Sequence, residues 1–115
     1  MKISKLKKSS EFKFIFLKGR RSEGKYFNFI YLRNKFGVNR IAVIVKKEIG
    51  IAVHRNKIKR RIKEAFRKEN LKTKSGYDII IIVRKGSIHL SFYEVYDEIS
   101  KFLHKERLIA FPSSN

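Results

Sequence analysis

Residues 49–68 read IGIAVHRNKIKRRIKEAFRK, and the reading of this stretch decides the architecture around it. Ile58, Ile62, Ala65 and Phe66 recur at i, i+4, i+7 and i+8, the apolar stripe of a helix packed on a core. Arg55, Lys57, Lys59, Arg60, Arg61, Lys63 and Arg67 fan out around the remaining arc, and Glu64 is the only carboxylate between Gly50 and Lys68. The face is therefore no lattice of i,i+4 ion pairs. The first turns of a helix already carry partial positive charge, so each cation there is unfavourable by ~0.3–1 kcal/mol. Folding alone does not select such a row. From Lys57 to Arg67 the helix climbs ~15 Å, a span that meets several charges of a polyanion.

The whole chain repeats the imbalance: 115 residues carry 29 Lys and Arg against 10 Asp and Glu, a formal net charge of +19. Self-repulsion at that charge destabilises the compact state while the field attracts phosphate. Ten Phe, five Tyr and 43% hydrophobic residues can build a core, which separates the chain from a disordered basic tail. The length fits a single domain, 1–115. With no cysteine, disulfides and thiolate metal sites are excluded. The longest apolar run, Ile79 to Val83, is far too short to cross a bilayer, and no signal peptide is apparent, so a cytoplasmic protein without membrane association is expected.

Residues 1–8 form a basic arm (Lys2, Lys5, Lys7, Lys8), expected to be mobile until a partner is met, and 110–115 read as a loose tail. Ser9 or Ser10 can cap a helix that runs through Lys18 and stops at Gly19. Phe12 and Phe16 share one face of it, although Phe12, Phe14 and Phe16 also alternate as in a strand. Lys25 to Arg33 and Arg40 to Lys46 read as strands, with 34–39 as the turn of a hairpin between them. Tyr77 to Arg84 reads as a strand buried on both faces, so strand, basic helix and strand suggest a parallel crossover. Ser91 and Glu94 have capping-box spacing before an amphipathic helix ending near His104.

Gly50, Arg55-Asn56-Lys57-Ile58-Lys59-Arg60-Arg61 and Glu64-Ala65-Phe66-Arg67 together resemble the signature helix of the protein subunit of bacterial ribonuclease P. Leu6-Lys7-Lys8, Phe12, Phe16 and Gly19 resemble that family's amino-terminal segment, and Tyr77-Asp78 with the isoleucine run resembles its late strand. The resemblance implies a small two-layer α+β sandwich of order αβββαβα, like RNA-binding domains of ribosomal proteins, with a left-handed β-α-β crossover. Parallel crossovers in general are right-handed in about 98% of cases. It also implies the activity: removal of the 5′ leader from precursor tRNA by a catalytic RNA subunit whose magnesium ions do the chemistry. The protein itself is then expected to hold no metal firmly and to need no obligate protein partner.

By the same resemblance Phe12 and Phe16 edge a cleft where a base of the leader can stack for ~1–3 kcal/mol, although ordinary core packing also explains them. Arg55 and Asn56 open the motif. The guanidinium can take phosphate bidentately, and the amide can bind RNA or cap the helix locally. Lys57, Lys59, Arg60, Arg61, Lys63 and Arg67 are the candidates for the catalytic RNA, and Lys47, Arg55, Asn56 and Arg60 join the two phenylalanines along the leader cleft. Where the family commonly has Ser-Val-Ser-Lys-Lys, this chain has Ile44-Val45-Lys46-Lys47-Glu48; Glu48 repels phosphate, while Lys46 restores some charge. Either Ile30 or Tyr31 falls where a family tyrosine is often found, and the choice flips the face. His54, His89 and His104 are dispersed, and the carboxylates lack metal-ligand spacing, so the protein reads as a noncatalytic subunit. A structural ribosomal protein is the alternative, and a DNA-binding protein comes third.

Overall fold

The computed structural model describes residues 3–5, 8–69 and 74–109, with only the backbone described over 3–5. Its elements run β1 (Ile3–Lys5), α1 (Ser9–Lys18), β2 (Arg20–Glu23), β3 (Phe27–Arg33), β4 (Asn39–Ile44), α2 (Ala52–Glu69), β5 (Tyr77–Val83) and α3 (Phe92–Lys105). From α1 onward this is the expected αβββαβα order. The sheet order is β1-β4-β5-β3-β2, with β4 and β5 parallel and joined through α2.

β5 takes the centre because Ile79, Ile80 and Ile81 are apolar on both faces, and all three are completely buried. That placement overturns the expected hairpin of β3 and β4. β5 lies between them, antiparallel to β3 and parallel to β4. The connecting loop straddles the start of β5 and is tied to it: Asn34 Nδ2 donates to Asp78 Oδ1 at 2.8 Å, and the Tyr77 N–H donates to Asn39 Oδ1 at 3.0 Å. The hairpin that does form joins β2 to β3, and its short first strand went unread because Arg20, Arg21 and Glu23 are exposed and show no apolar period. At its turn the Glu98 carboxylate accepts the N–H groups of Tyr26 (2.8 Å) and Phe27 (3.2 Å). A side chain at Gly24 would collide with that carboxylate, its Cβ falling 2.2 Å from Oε2.

The basic arm also differs from expectation, since Ile3–Lys5 add a parallel edge strand to β4. Residues 1–2 and 6–7 of the arm and the tail 110–115 lie outside the described residues. α1 begins at Ser9, so Lys8 occupies the capping position in place of either serine, and the Lys8 N–H reaches Glu11 Oε1 at 3.4 Å. α3 carries the capping box as read, with Ser91 Oγ accepting from the Glu94 N–H at 3.2 Å.

Two cores sandwich the sheet. α2 and α3 cover one face, where Phe27, Phe29, Ile58, Phe66, Ile99 and Leu103 are buried together. On the other face α1 alone lies across the strands, Ile15 packing on Ile30, Ala42 and Ile80. Arg40 fastens it there: its guanidinium grips Asp78 bidentately (2.8 and 2.7 Å) and Glu11 of α1 at 2.8 Å. That hydrogen bond holds the Glu11 carboxyl below the usual carboxylate range.

Phe66→Ala is expected to lower unfolding free energy by ~3–5 kcal/mol in urea titration, the range for emptying a fully buried aromatic site. Tyr31 gives a pH signature. Burial, aided by a hydrogen bond to the Glu106 carboxylate, pushes its phenol up from 10.0 to about 12. The folded state therefore keeps a proton that the unfolded state releases, so this contribution is intact below pH 10.0 and is lost as pH rises to about 12. A hydrogen bond to Glu69 also raises the Tyr96 phenol, so tyrosinate absorbance should show late-titrating phenols, of which Tyr31→Phe removes the one near pH 12.

Candidate nucleic-acid interface

α2 sorts its side chains by angle. Opposite the buried stripe of Ile58, Ile62, Ala65 and Phe66, at ~100° per residue, lie Asn56, Arg60, Lys63 and Arg67. Asn56, Arg60 and Arg67 are exposed and Lys63 is half-buried, so these four form the outermost ridge. Lys57 is exposed on one flank, and Lys59 is half-buried on the other. Arg67 pairs with Glu64 at 2.5 Å, but both side chains are largely exposed and such a pair holds little energy.

Two of the expected contacts are partly structural. Arg55 Nε donates to the Gly50 carbonyl at 3.0 Å, and Arg61 Nη1 donates to the Leu90 carbonyl at 2.5 Å. Both side chains are half-buried, and each retains further N–H groups. Lys68, on the Arg61 flank, holds its ammonium 5.5 Å from the Phe92 ring centre. His89, distant in sequence, meets His54 edge-on with ring centres 4.6 Å apart.

On the face away from α2 and α3, strand register sets three rows across the sheet. Glu23, Asn28, Ile82 and Ile44 stand abreast in the first, Arg21, Ile30, Ile80 and Ala42 in the second, and Leu32, Asp78 and Arg40 in the third. α1 covers the second row through Ile15. Its Glu11 and Phe14 flank overhangs the third, around a cavity of ≈ 360 Å³ that Leu32, Phe36 and Arg40 also line. Phe12 and Phe16 are half-buried on the opposite flank, on the side of the first row. Among the described residues no helix covers that row, and half-buried Asn28, Ile44 and Ile82 form a floor beside the two phenyl rings. From this row β4 runs through exposed Lys46 and Lys47 to the start of α2, which places both lysines, Arg55 and Asn56 at the same edge of the sheet. Arg60 follows one turn along α2. Ile30 faces α1, whereas Tyr31 enters the main core.

The floor was invisible in the sequence because the expected β3–β4 hairpin set those strands side by side, with no place for Ile82 between them. The alternation of Asn28, Ile30 and Leu32 was a usable signal, but only with the correct neighbour. Among the described residues, no three His, Asp or Glu side chains group as a metal site, and no helix is long and apolar enough to cross a membrane.

Fold and surface together define a small, strongly basic α+β domain built on a cationic crossover helix, with one uncovered row of strand residues. The family profile described as Ribonuclease P matches residues 1–107. The ribonuclease P protein component of Thermoanaerobacter sp. is 34% identical over 109 residues, covering 95% of this chain and 94% of its own. That of Caldanaerobacter subterraneus is 35% identical over 107 residues, covering 93% and 92%. Among solved structures, the RNase P protein of Staphylococcus aureus superimposes with a TM-score of 0.84 at 29% identity, covering 93% of this chain and 98% of that one. The Thermotoga maritima RNase P protein gives 0.81 at 28%, covering 89% and 96%. The chain belongs to the ribonuclease P protein family, the protein component of the enzyme that processes tRNA 5′ ends.

The geometry separates neighbouring arginines. Arg60→Ala should leave thermal unfolding within ~0.5 kcal/mol of the parent. Arg61→Ala, which strips a donor from the Leu90 carbonyl, should destabilise by ~1–3 kcal/mol.

Proposed function

We propose that this chain binds the catalytic RNA of ribonuclease P along the α2 ridge. In the same complex the single-stranded 5′ leader of precursor tRNA runs over the floor between α1 and the β4–α2 connection. Phosphodiester hydrolysis belongs to the RNA subunit and its magnesium ions, and the protein raises affinity for leader-bearing substrate. The cytoplasm, where precursor tRNA is made, is the site of action.

One observation carries this reading. α2 is core on one side and presents exposed Arg60 and Lys57 on the other, with Arg67 beside them in a solvent-exposed pair with Glu64. Arg60 can reach a phosphate with its guanidinium fork. The cleft adds the second element of a single-strand site: aromatic rings of Phe12 and Phe16 for stacking, with Lys46 and Lys47 at the edge for the backbone.

Reconstitution with ribonuclease P RNA and a precursor tRNA tests the assignment. The protein should stimulate leader removal by that RNA and cleave nothing by itself; cleavage by the RNA-free protein contradicts the division of labour. Affinity for the RNA should fall with salt, and Arg60→Ala should reduce the log–log slope by ~0.7–0.9, the release expected for one phosphate contact.

A further inference from the structure

Four cations converge at the end of the sheet away from Lys46 and Lys47. Arg20 opens β2, Arg33 closes β3, Lys74 precedes β5 and Arg107 follows α3, and all four are exposed around one cavity of ≈ 420 Å³. From Asn28 to Arg33 β3 advances ~17 Å, so this hollow is separate from the open row. Among the described residues none of the four forms an ion pair. Glu106 is the only carboxylate among the described residues that line the cavity, and it already accepts the Tyr31 hydroxyl.

The backbone gives an independent sign. α3 ends in a Schellman motif, in which the Leu108 N–H donates to the Leu103 carbonyl at 2.8 Å and the Arg107 N–H to the His104 carbonyl at 3.1 Å. Arg107 thereby takes the left-handed position, at φ 58°, where a β-carbon is crowded and glycine is favoured. Gly37, Gly76 and Gly86 fill the other positive-φ positions among the described residues. Folding alone selects glycine at 107 as well, and it does not select four like charges around one hollow.

The arrangement differs from that on α2. There the cations stand in a row on a convex helix, suited to phosphates strung along a backbone. Here they come from four separate segments and line a hollow of the size that holds a small ligand. Such a cluster suits a compact group of more than one negative charge, which arginine forks can take through paired hydrogen bonds. Half-buried Tyr77 lines the same cavity and supplies an aromatic wall for a base.

We propose that this cavity is a second anion site, which takes the phosphate end of a nucleotide, either free or at the 5′ terminus of an RNA. It does not depend on the leader-cleft reading.

Amide NMR titration of the full chain at physiological salt tests the site, with adenosine 5′-diphosphate as one probe and a short 5′-phosphorylated single-stranded RNA as the other. The amides of Arg33, Tyr77 and Arg107 should shift and saturate with at least one probe. Saturation by the diphosphate marks a free nucleotide as ligand. Saturation by the RNA alone marks a strand terminus, and the same RNA with a 5′ hydroxyl should then bind there more weakly. Arg107→Gly should unfold no earlier than the parent, because glycine suits the left-handed position, yet weaken binding about tenfold, the loss of one charge-assisted contact. Arg33→Ser, at the end of β3, should weaken it similarly, and both variants should leave any shift at Arg60 on α2 as in the parent. Failure of both probes to saturate these three amides, unchanged affinity in either variant, or equal binding of the 5′-hydroxyl RNA overturns the site.

Discussion

The burial of β5 on both faces is the constraint from which the remaining structure follows. A strand whose Ile79, Ile80 and Ile81 are all removed from water needs hydrogen-bonded neighbours on both edges and apolar cover above and below. β3 and β4 supply the edges, α2 and α3 the cover on one face, and α1 the cover on the other. Because α1 is a single short helix, its cover ends before the sheet does. The row of Asn28, Ile82 and Ile44 is left open at the edge where β4 hands the chain to α2.

Charge is laid on this frame without altering it. The long crossover helix has one side committed to Ile58, Ile62 and Phe66, so its other side is free of packing demands and can carry cations. Most of the acidic side chains that make described contacts work elsewhere: Glu11 and Asp78 hold Arg40, Glu98 holds the β2–β3 turn, and Asp97 pairs with Lys101 on α3. The α2 ridge and the open row lie on opposite faces of the sheet and are linked by the chain where β4 passes into α2. Their parts differ in tolerance. Arg60 can change without touching the core, whereas Arg55 and Arg61 are tied to backbone carbonyls.

The elements with a strong period were legible in the sequence. α2 announces itself by Ile58, Ile62 and Phe66, α3 by its Ser91–Glu94 box, and β5 by an unbroken aliphatic run. What failed was pairing, because β3 and β4 carry no mark of which strand each will choose, and proximity in sequence favours a hairpin. The decisive information lay in Asn34 and Asn39, whose side chains bridge to Asp78 and Tyr77. Such long-range hydrogen bonds have no periodic signature. Among site residues, the exposed cations were readable from composition and period, and the structural share of Arg55 and Arg61 was not, since it depends on carbonyls that the fold brings near. Glu23 and Asn28 were unreadable for the same reason: β2 is too short and polar to be recognised, so the row they share could not be drawn.

The chain has no cysteine, so a single one can be placed anywhere without background. An iron chelate tethered through Lys57→Cys on α2, and separately through Asp97→Cys on the exposed side of α3, would report by local hydroxyl-radical cleavage which face lies against ribonuclease P RNA in the reconstituted complex. Strong, localised RNA cleavage is expected from position 57 and none from position 97. Cleavage of equal strength from both, or from position 97 alone, would contradict the placement of the RNA against α2.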